Sequence, residues 1–164
     1  MSCDNCIELG VPEHLCAFDK EEKVAFDEEE VLYRRIPGNL PRSIEELSAE
    51  HLNAIFPLRN DSYNRSKLSN PEDVLVDHEG RKYENHSSIS IPIKEVNSIK
   101  MDVPDNDKNS RVFSLVVRGD ILHCNYSHCE IDCYKNGDII DPTKNPRASK
   151  LFMRDQLKRI LKFN

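Results

Sequence analysis

The sequence predicts an α+β domain in which an antiparallel meander sheet is packed by two or three helices, with a Cys/His zinc knuckle at the N-terminus. Three observations predict it: short β-type runs fill the middle of the chain, a basic amphipathic segment ends it, and cysteine and histidine cluster at its start. A chain of 164 residues suits one domain. We therefore divide it into a zinc-knuckle and acidic lead-in, residues 1–30, and a single α+β domain, residues 31–164.

The first half of the domain predicts one strand and two helices. Alternation in VLYRRI predicts a strand over 31–36. Ser43 followed by Glu46 fits a capping box, which predicts a helix over 44–55. SNPEDVL has a proline directly after an N-cap residue, which predicts a short helix over 71–76. The stretch between the two predicted helices has no regular pattern.

The second half predicts the sheet. Alternating isoleucines predict a strand over 89–93, and three β-type runs follow at 111–117, 120–126 and 128–134. Asn136-Gly137 is a strong hairpin signal. Apolar residues at helical spacing predict a final basic helix from about 149 to 162.

The N-terminal cluster predicts a structural metal site. Cys3, Cys6, His14 and Cys16 supply four ligands of the types that tetrahedral Zn²⁺ prefers, and Cys-x2-Cys spacing turns two thiolates toward one ion. The His-x-Cys spacing is tighter than usual, so a later cysteine is an alternative fourth ligand. Two further interpretations are a redox Cys-x2-Cys pair and three reduced thiols with no ligand.

The segment from His123 to Cys133 concentrates chemistry-bearing residues. As a strand, HCEIDCY directs one set of side chains to the core and places His128, Glu130 and Asp132 in a polar row on the other face. Such a row can share a proton or bind a divalent ion, or it can be the solvated face of the sheet. A second metal site of His123, Cys124, His128 and Cys129 requires the segment to be a loop, because one-residue spacing places His123 and Cys124 on opposite faces of a strand.

Several motifs carry a resemblance. VLYRRI, SYNRSKLSNPEDVL, HSSISIPI and NYSHCEI follow the order of motifs in a group of small uncharacterised bacterial proteins with an LYRR strand and an Asn-x-x-His end. The layout more distantly resembles RES-type ADP-ribosyltransferases. That resemblance implies that Arg34 holds a pyrophosphate, Ser66 or Ser69 orients the nicotinamide side of NAD, and Glu130 stabilises an oxocarbenium charge.

The charge distribution bears on partners. Ten acidic side chains against two lysines lie in residues 1–30, whereas residues 145–164 hold six basic side chains against one aspartate. The two ends can attract each other or attract a partner protein. Nucleic acid is not favoured, because the chain has no Trp and the basic helix has few aromatic side chains for stacking. No apolar run is long enough for a membrane span, and the N-terminus does not resemble a signal peptide, so we expect a cytoplasmic protein.

The sequence contains no complete catalytic constellation. Its leading functional hypothesis is therefore an interaction or accessory subunit of a bacterial multi-protein system, such as a defence system. The alternative is a small effector enzyme that acts on NAD or nucleic acid. Its catalytic residues would be Arg34, Ser66, His128 and Glu130.

Overall fold

The computed structural model describes residues 2–18, 20, 24–104 and 110–164. Its centre is one antiparallel sheet of eight strands in the order β4-β5-β6-β2-β1-β3-β8, with the short β7 paired to β6. The α+β class and the antiparallel sheet are confirmed. The strands are β1 (Val31–Pro37), β2 (Asp61–Arg65), β3 (His86–Pro92), β4 (Lys100–Val103), β5 (Arg111–Gly119), β6 (His128–Lys135), β7 (Asp138–Ile139) and β8 (Lys162–Phe163).

Four α-helices lie in the described part of the chain: α1 (Asp4–Glu8), α2 (Ala49–Ile55), α3 (Ile93–Ser98) and α4 (Arg147–Ile160). The predicted helix over 44–55 is divided. A 3-10 turn covers Ile44–Glu46, and α2 starts only after Ser48. The capping box is therefore Ser48 with His51: the His51 N–H donates to Ser48 Oγ, and the Ser48 N–H donates to His51 Nδ1, both at 3.2 Å.

Strand β2 was not predicted, because its sequence is polar although it lies between β1 and β6. Its Asp61 is 1% exposed. The carboxylate is satisfied by the main chain, since it accepts the N–H groups of Leu58 at 3.1 Å and Arg59 at 3.0 Å. A buried polar residue thus closes the tight loop before β2.

The predicted strand over 120–126 is wrong. Those residues form the β5–β6 loop, defined here as residues 120–127, with one isolated bridge between Leu122 and Asn125. The Asn136-Gly137 hairpin is confirmed, because both residues adopt positive φ between β6 and β7.

The two faces of the sheet differ. One face packs against α2, α3 and α4 in the main core, with Leu32, Ile55 and Leu157 at most 1% exposed. The other face is polar. The N-terminal segment forms a separate small cluster of Cys6, Val11, Leu15, Cys16 and Cys124.

That segment is bound to the β5–β6 loop. The Ala17 N–H donates to the His123 carbonyl at 2.8 Å, and the Tyr126 N–H donates to the Leu15 carbonyl at 2.6 Å. Asp19, Glu21 and Glu22 of the predicted acidic lead-in lie outside the described residues. Within the described ranges, no helix combines the length and the apolar character that crossing a bilayer requires.

Candidate active site

Cross-strand register assembles a polar row on the sheet face that is opposite the main core. Glu130 lies between Ser62 of β2 and Arg118 of β5, and His128 lies opposite Asn64. Paired residues of neighbouring strands point to the same face, so these side chains are neighbours. The sequence hypothesis that His128 and Glu130 share a face therefore agrees with the register.

His128 is the first residue of β6 and is 6% exposed. Its Nδ1 lies 2.6 Å from the main-chain carbonyl oxygen of Asp120 and 3.3 Å from the Asp120 carboxylate. Because a carbonyl oxygen can only accept, Nδ1 carries the proton. In the neutral imidazole, Nε2 is then the basic atom, and Asp120 fixes the orientation of the ring.

Arg118 binds the carboxylates beside His128. Its guanidinium donates to Asp132 at 2.7 Å and to Glu130 at 2.8 Å. Hydrogen bonding to Asp132, with the neighbouring carboxylates, raises the pKa of Arg118 above its ordinary value. Arg118 is thus a fixed cation at the rim of the site, and Glu130 is held in place next to His128.

A polar cleft of about 520 Å³ opens over this row. Among the residues that line it are Arg34, Arg35, Asp120, Asn125, His128 and Glu130. Its floor is fixed by a buried network: Asn125 Nδ2 donates to Asn64 Oδ1 at 2.8 Å, and Ser127 Oγ donates to Asn125 Oδ1 at 2.7 Å. The network holds the β5–β6 loop, and with it the carbonyl that orients His128.

The two arginines of β1 have different surroundings. Arg34 donates from Nε to the Ile55 carbonyl at 2.6 Å and from Nη1 to the Ser62 carbonyl at 3.0 Å. Its alternation with Leu32 and Ile36 places it on the core side of the sheet. Arg35 has the parity of the polar face and stacks on the Tyr83 ring at 3.4 Å. Burial lowers the pKa of Arg35, and nearby Tyr83 and Asp77 oppose that shift.

The structure brings together three of the four residues to which sequence reasoning gave catalytic roles. Arg34, His128 and Glu130 line the polar cleft. Ser66 does not line it, because its Oγ accepts the Val31 N–H at 3.0 Å at the start of β1. The alternative, Ser69, donates to the Arg65 carbonyl at 2.9 Å. Both hydroxyls support the main chain.

Sequence reasoning missed Asp120 and Arg35. Asp120 sits in a segment that was read as a strand, and only the folded loop brings its carbonyl to His128. Arg35 received no role, because only Arg34 was given the pyrophosphate, although strand parity places their side chains on opposite faces. Parity alone could have selected Arg35 as the arginine on the face of Glu130, once the two strands were known to share a sheet.

A second cavity lies at the same strand ends, with a volume of about 930 Å³. We call it the apolar cavity, since Ala17, Val24, Ala25, Phe26, Ile121 and Tyr126 line it. Asp120 and His128 line both this cavity and the polar cleft. The His128–Asp120 pair therefore stands where the two meet.

The predicted zinc ligands are not brought together as a set of four. Disulfides join Cys3 to Cys16 and Cys6 to Cys124, and His14 Nε2 lies 2.7 Å from an Asp73 carboxylate oxygen. His14 is separated from the three cysteines because it pairs with Asp73, a charged residue of the 3-10 turn Pro71–Leu75. Cys124, which is distant in sequence, takes the place beside Cys6.

Among the residues that the structure describes, two groups of side chains have the spacing of metal ligands. They are Cys6, His123 and Cys124 at the N-terminal cluster, and Asp120, His128 and Glu130 in the cleft. In each group the potential ligand atoms lie within 4.8 Å of one another. In the first group both sulfurs are in a disulfide, and in the second group Glu130 is bound by Arg118. A metal at either position would have to replace those bonds.

The basic C-terminal helix uses part of its charge inside the fold. Arg154 donates to the Phe56 and Pro57 carbonyls at 2.8 and 3.2 Å, and Lys158 donates to the Leu47 carbonyl at 2.9 Å. These bonds satisfy carbonyl groups at and after the end of α2 and before its start. The fold therefore supplies main-chain partners for two of the six cations of residues 145–164, and Arg159 pairs with Asp155 at 2.8 Å.

Comparisons with known proteins give no match. No family model matches the chain. No curated protein and no solved structure matches it either.

Proposed function

We propose that the chain is an enzyme that performs acid–base chemistry on a nucleotide-class substrate in the polar cleft. One observation carries the proposal: Nδ1 of the buried His128 lies 2.6 Å from the Asp120 carbonyl, which leaves Nε2 as the base beside a cleft. Histidine is the side chain most often used for proton transfer near neutral pH.

The neighbouring groups supply complementary roles. His128 Nε2 accepts a proton from a water or hydroxyl nucleophile, whose oxygen bonds to the substrate as the bond to the leaving group breaks. The Asp120 carboxylate, 3.3 Å from Nδ1, stabilises the imidazolium, which then returns the proton to the leaving group. Glu130, held by Arg118, stabilises positive charge that develops on the substrate. Arg35 faces the cleft as a permanent cation and interacts with an anionic substrate group.

The test compares His128→Gln with His14→Gln. Both histidines have an aspartate partner, but His14 is outside the cleft, which makes it a matched control. Each protein is incubated with mononucleotides, dinucleotides and oligonucleotides, and products are followed by ³¹P NMR and chromatography. We expect His128→Gln to lower turnover about 10²- to 10⁴-fold with unchanged melting temperature. Absence of turnover by the unaltered chain, or full turnover by His128→Gln, would refute the proposal.

A second candidate is the interaction or accessory subunit. It is supported by three large apolar side chains that are exposed on the N-terminal segment, namely Ile7 at 46%, Leu9 at 51% and Phe18 at 39%. Glu130→Ala separates the two proposals: an accessory subunit keeps its biological effect, whereas an enzyme loses it. Leu9→Asp is expected to have the opposite pattern.

We also propose that the reduced chain binds one Zn²⁺ ion through Cys3, Cys6, Cys16 and Cys124. The support is that these four cysteines lie in one small cluster, and that Cys16 Sγ accepts the Phe18 N–H at 3.4 Å. Two equivalents of a dithiol reductant supply the four electrons and four protons that convert both disulfides to thiols. Zinc then replaces thiol protons.

The zinc proposal has a direct test. The chain is reduced anaerobically, mixed with one equivalent of Zn²⁺, desalted and measured for metal. Cys124→Ser is expected to lose the zinc and His14→Gln to retain it. The opposite result would favour the ligand set with His14, and no retained zinc in the unaltered chain would refute both. Disulfides persist in oxidising compartments, so the two disulfides of the structure favour an oxidising location over the expected cytoplasmic one.

A further inference from the structure

We infer that the apolar cavity binds an uncharged, planar ring of the substrate, while the polar cleft binds the rest of the molecule. The inference rests on the proposed function and names the form of its substrate. The cavity and the cleft share Asp120 and His128, so a ligand that occupies both places the bond between its two parts next to His128.

The lining of the cavity favours a ring. Phe26, Ile121 and Tyr126 supply aromatic and aliphatic surface, and the volume of about 930 Å³ lies in the range of small-molecule sites. One face of each aromatic ring is already covered, Phe26 by the Arg65 guanidinium at 4.1 Å and Tyr126 by the Lys20 ammonium at 4.9 Å. A planar group therefore meets the ring edges or the opposite ring faces, by edge-to-face contact or by stacking. The walls are positioned by the fold: Phe26 packs against the main core, and Tyr126 is joined to the N-terminal segment through its backbone.

The cations around the cavity do not favour an anion there. Arg65 is paired with Glu30 at 2.8 Å, and Arg118 with Glu130 and Asp132. Lys20 donates to the His14 carbonyl. A charged ligand would have to compete with these partners, whereas an uncharged ring leaves them in place. Arg35, on the polar face, has only the Val74 carbonyl and the Tyr83 ring as hydrogen-bond or ring partners among the described residues.

This asymmetry defines the class of substrate: an aromatic heterocycle joined to a polar, anionic part. The ring enters the apolar cavity, the anionic part lies near Arg35, and the linkage between them lies at His128. Specificity for the ring then depends on the apolar cavity, and the proton transfer depends on the His128–Asp120 pair.

Gly119 allows the cavity to be altered without replacing either His128 or Asp120. It lies at the end of β5, and a Cβ added there would be 4.0 Å from Phe26 Cζ, which is ordinary contact. Gly119→Ala is therefore a conservative control. Gly119→Leu extends a branched side chain from the same position, and we expect it to occupy space that the ring needs.

The experiment is binding measured by NMR on the full chain, with adenosine and uridine as uncharged rings, pyrophosphate as an anion, and AMP as both. We expect nucleosides to shift the resonances of Phe26 and Ile121, and pyrophosphate to shift those near Arg35. Gly119→Leu should weaken nucleoside and AMP binding about tenfold or more and leave pyrophosphate binding unchanged. Gly119→Ala should bind all probes as the unaltered chain does.

The outcomes separate the two proposals. If neither nucleoside shifts the cavity residues, or if Gly119→Leu binds AMP normally, the inference is wrong. If the ring binds as expected but His128→Gln retains turnover, the inference stands and the assignment of the base fails. If the chain turns over phosphoesters that have no ring but does not bind nucleosides, His128 remains the proposed base and the proposed ring site is refuted.

Discussion

Removal of the Cys6–Cys124 disulfide should destabilise the folded chain more than removal of Cys3–Cys16. The first bond joins residues 118 apart and ties the N-terminal segment to the β5–β6 loop, whereas the second joins residues only 13 apart. In the chain-entropy description, a cross-link destabilises the unfolded state in proportion to the logarithm of the loop that it closes.

The loop lengths set the magnitudes. A loop of 118 residues corresponds to about 5 kcal/mol of unfolding free energy, and a loop of 13 residues to about 3 kcal/mol. The two double variants, C6A/C124A and C3A/C16A, should therefore differ by about 2 kcal/mol. Alanine is chosen because a serine hydroxyl would be buried in the apolar N-terminal cluster without an assured partner.

The assay is urea unfolding of the oxidised proteins in the presence of EDTA. With a typical urea dependence for a chain of this size, the midpoints of the two variants should differ by about 1 M. Thiol titration in denaturant gives a check, because the oxidised chain should show two free thiols, those of Cys129 and Cys133. Equal midpoints, or a larger loss for C3A/C16A, would refute the loop-closure reasoning. Six free thiols would refute the pairing itself.

Three other predictions follow from buried groups and backbone geometry. Glu30→Gln leaves the guanidinium of Arg65 buried without its carboxylate partner, so it should lower the free energy of unfolding, measured in urea, by about 3–5 kcal/mol. The paired change E30L/R65M should lower it by less. Burial raises the pKa of the Cys133 thiol to about 11 from an ordinary 9.0. Between those pH values only the unfolded chain loses the thiol proton, so the unfolding free energy should fall as the pH rises from 9 to 11. Cys133→Ala should show a shallower fall. Gly80 has φ +80°, and an added Cβ would lie 1.8 Å from the Leu9 carbonyl oxygen, whereas a Cβ added at Gly137 meets open space. Gly80→Ala should therefore lower the melting temperature far more than Gly137→Ala does. Equal effects of the two substitutions would contradict the contact with Leu9.

Local patterns predicted the elements whose signals lie within a few residues. Alternation located β1 and β6 and placed His128 and Glu130 on one face, and Asn136-Gly137 located the β6–β7 hairpin. Helical spacing predicted a helix over about 149–162, and α4 spans Arg147–Ile160. Each of these depends on backbone geometry that nearby side chains determine.

Patterns of the same kind failed where distant residues supply the stabilising contacts. β2 is polar, and its place between β1 and β6 is set by pairing with strands far along the chain. The capping box is a local failure: His51 accepts the Ser48 N–H and so completes the box at Ser48, whereas the Ser43 hydroxyl donates to Glu45.

The sequence by itself determined the α+β class, the polar row on β6 and the presence of a cysteine cluster. Tertiary structure alone decided that Cys124 pairs with Cys6, that His14 binds Asp73, and that the Asp120 carbonyl fixes the proton on His128. The physical reason is range. Periodicity along a strand or helix records which face a residue occupies, whereas a disulfide or an oriented imidazole requires two segments whose approach depends on the packing of the whole chain.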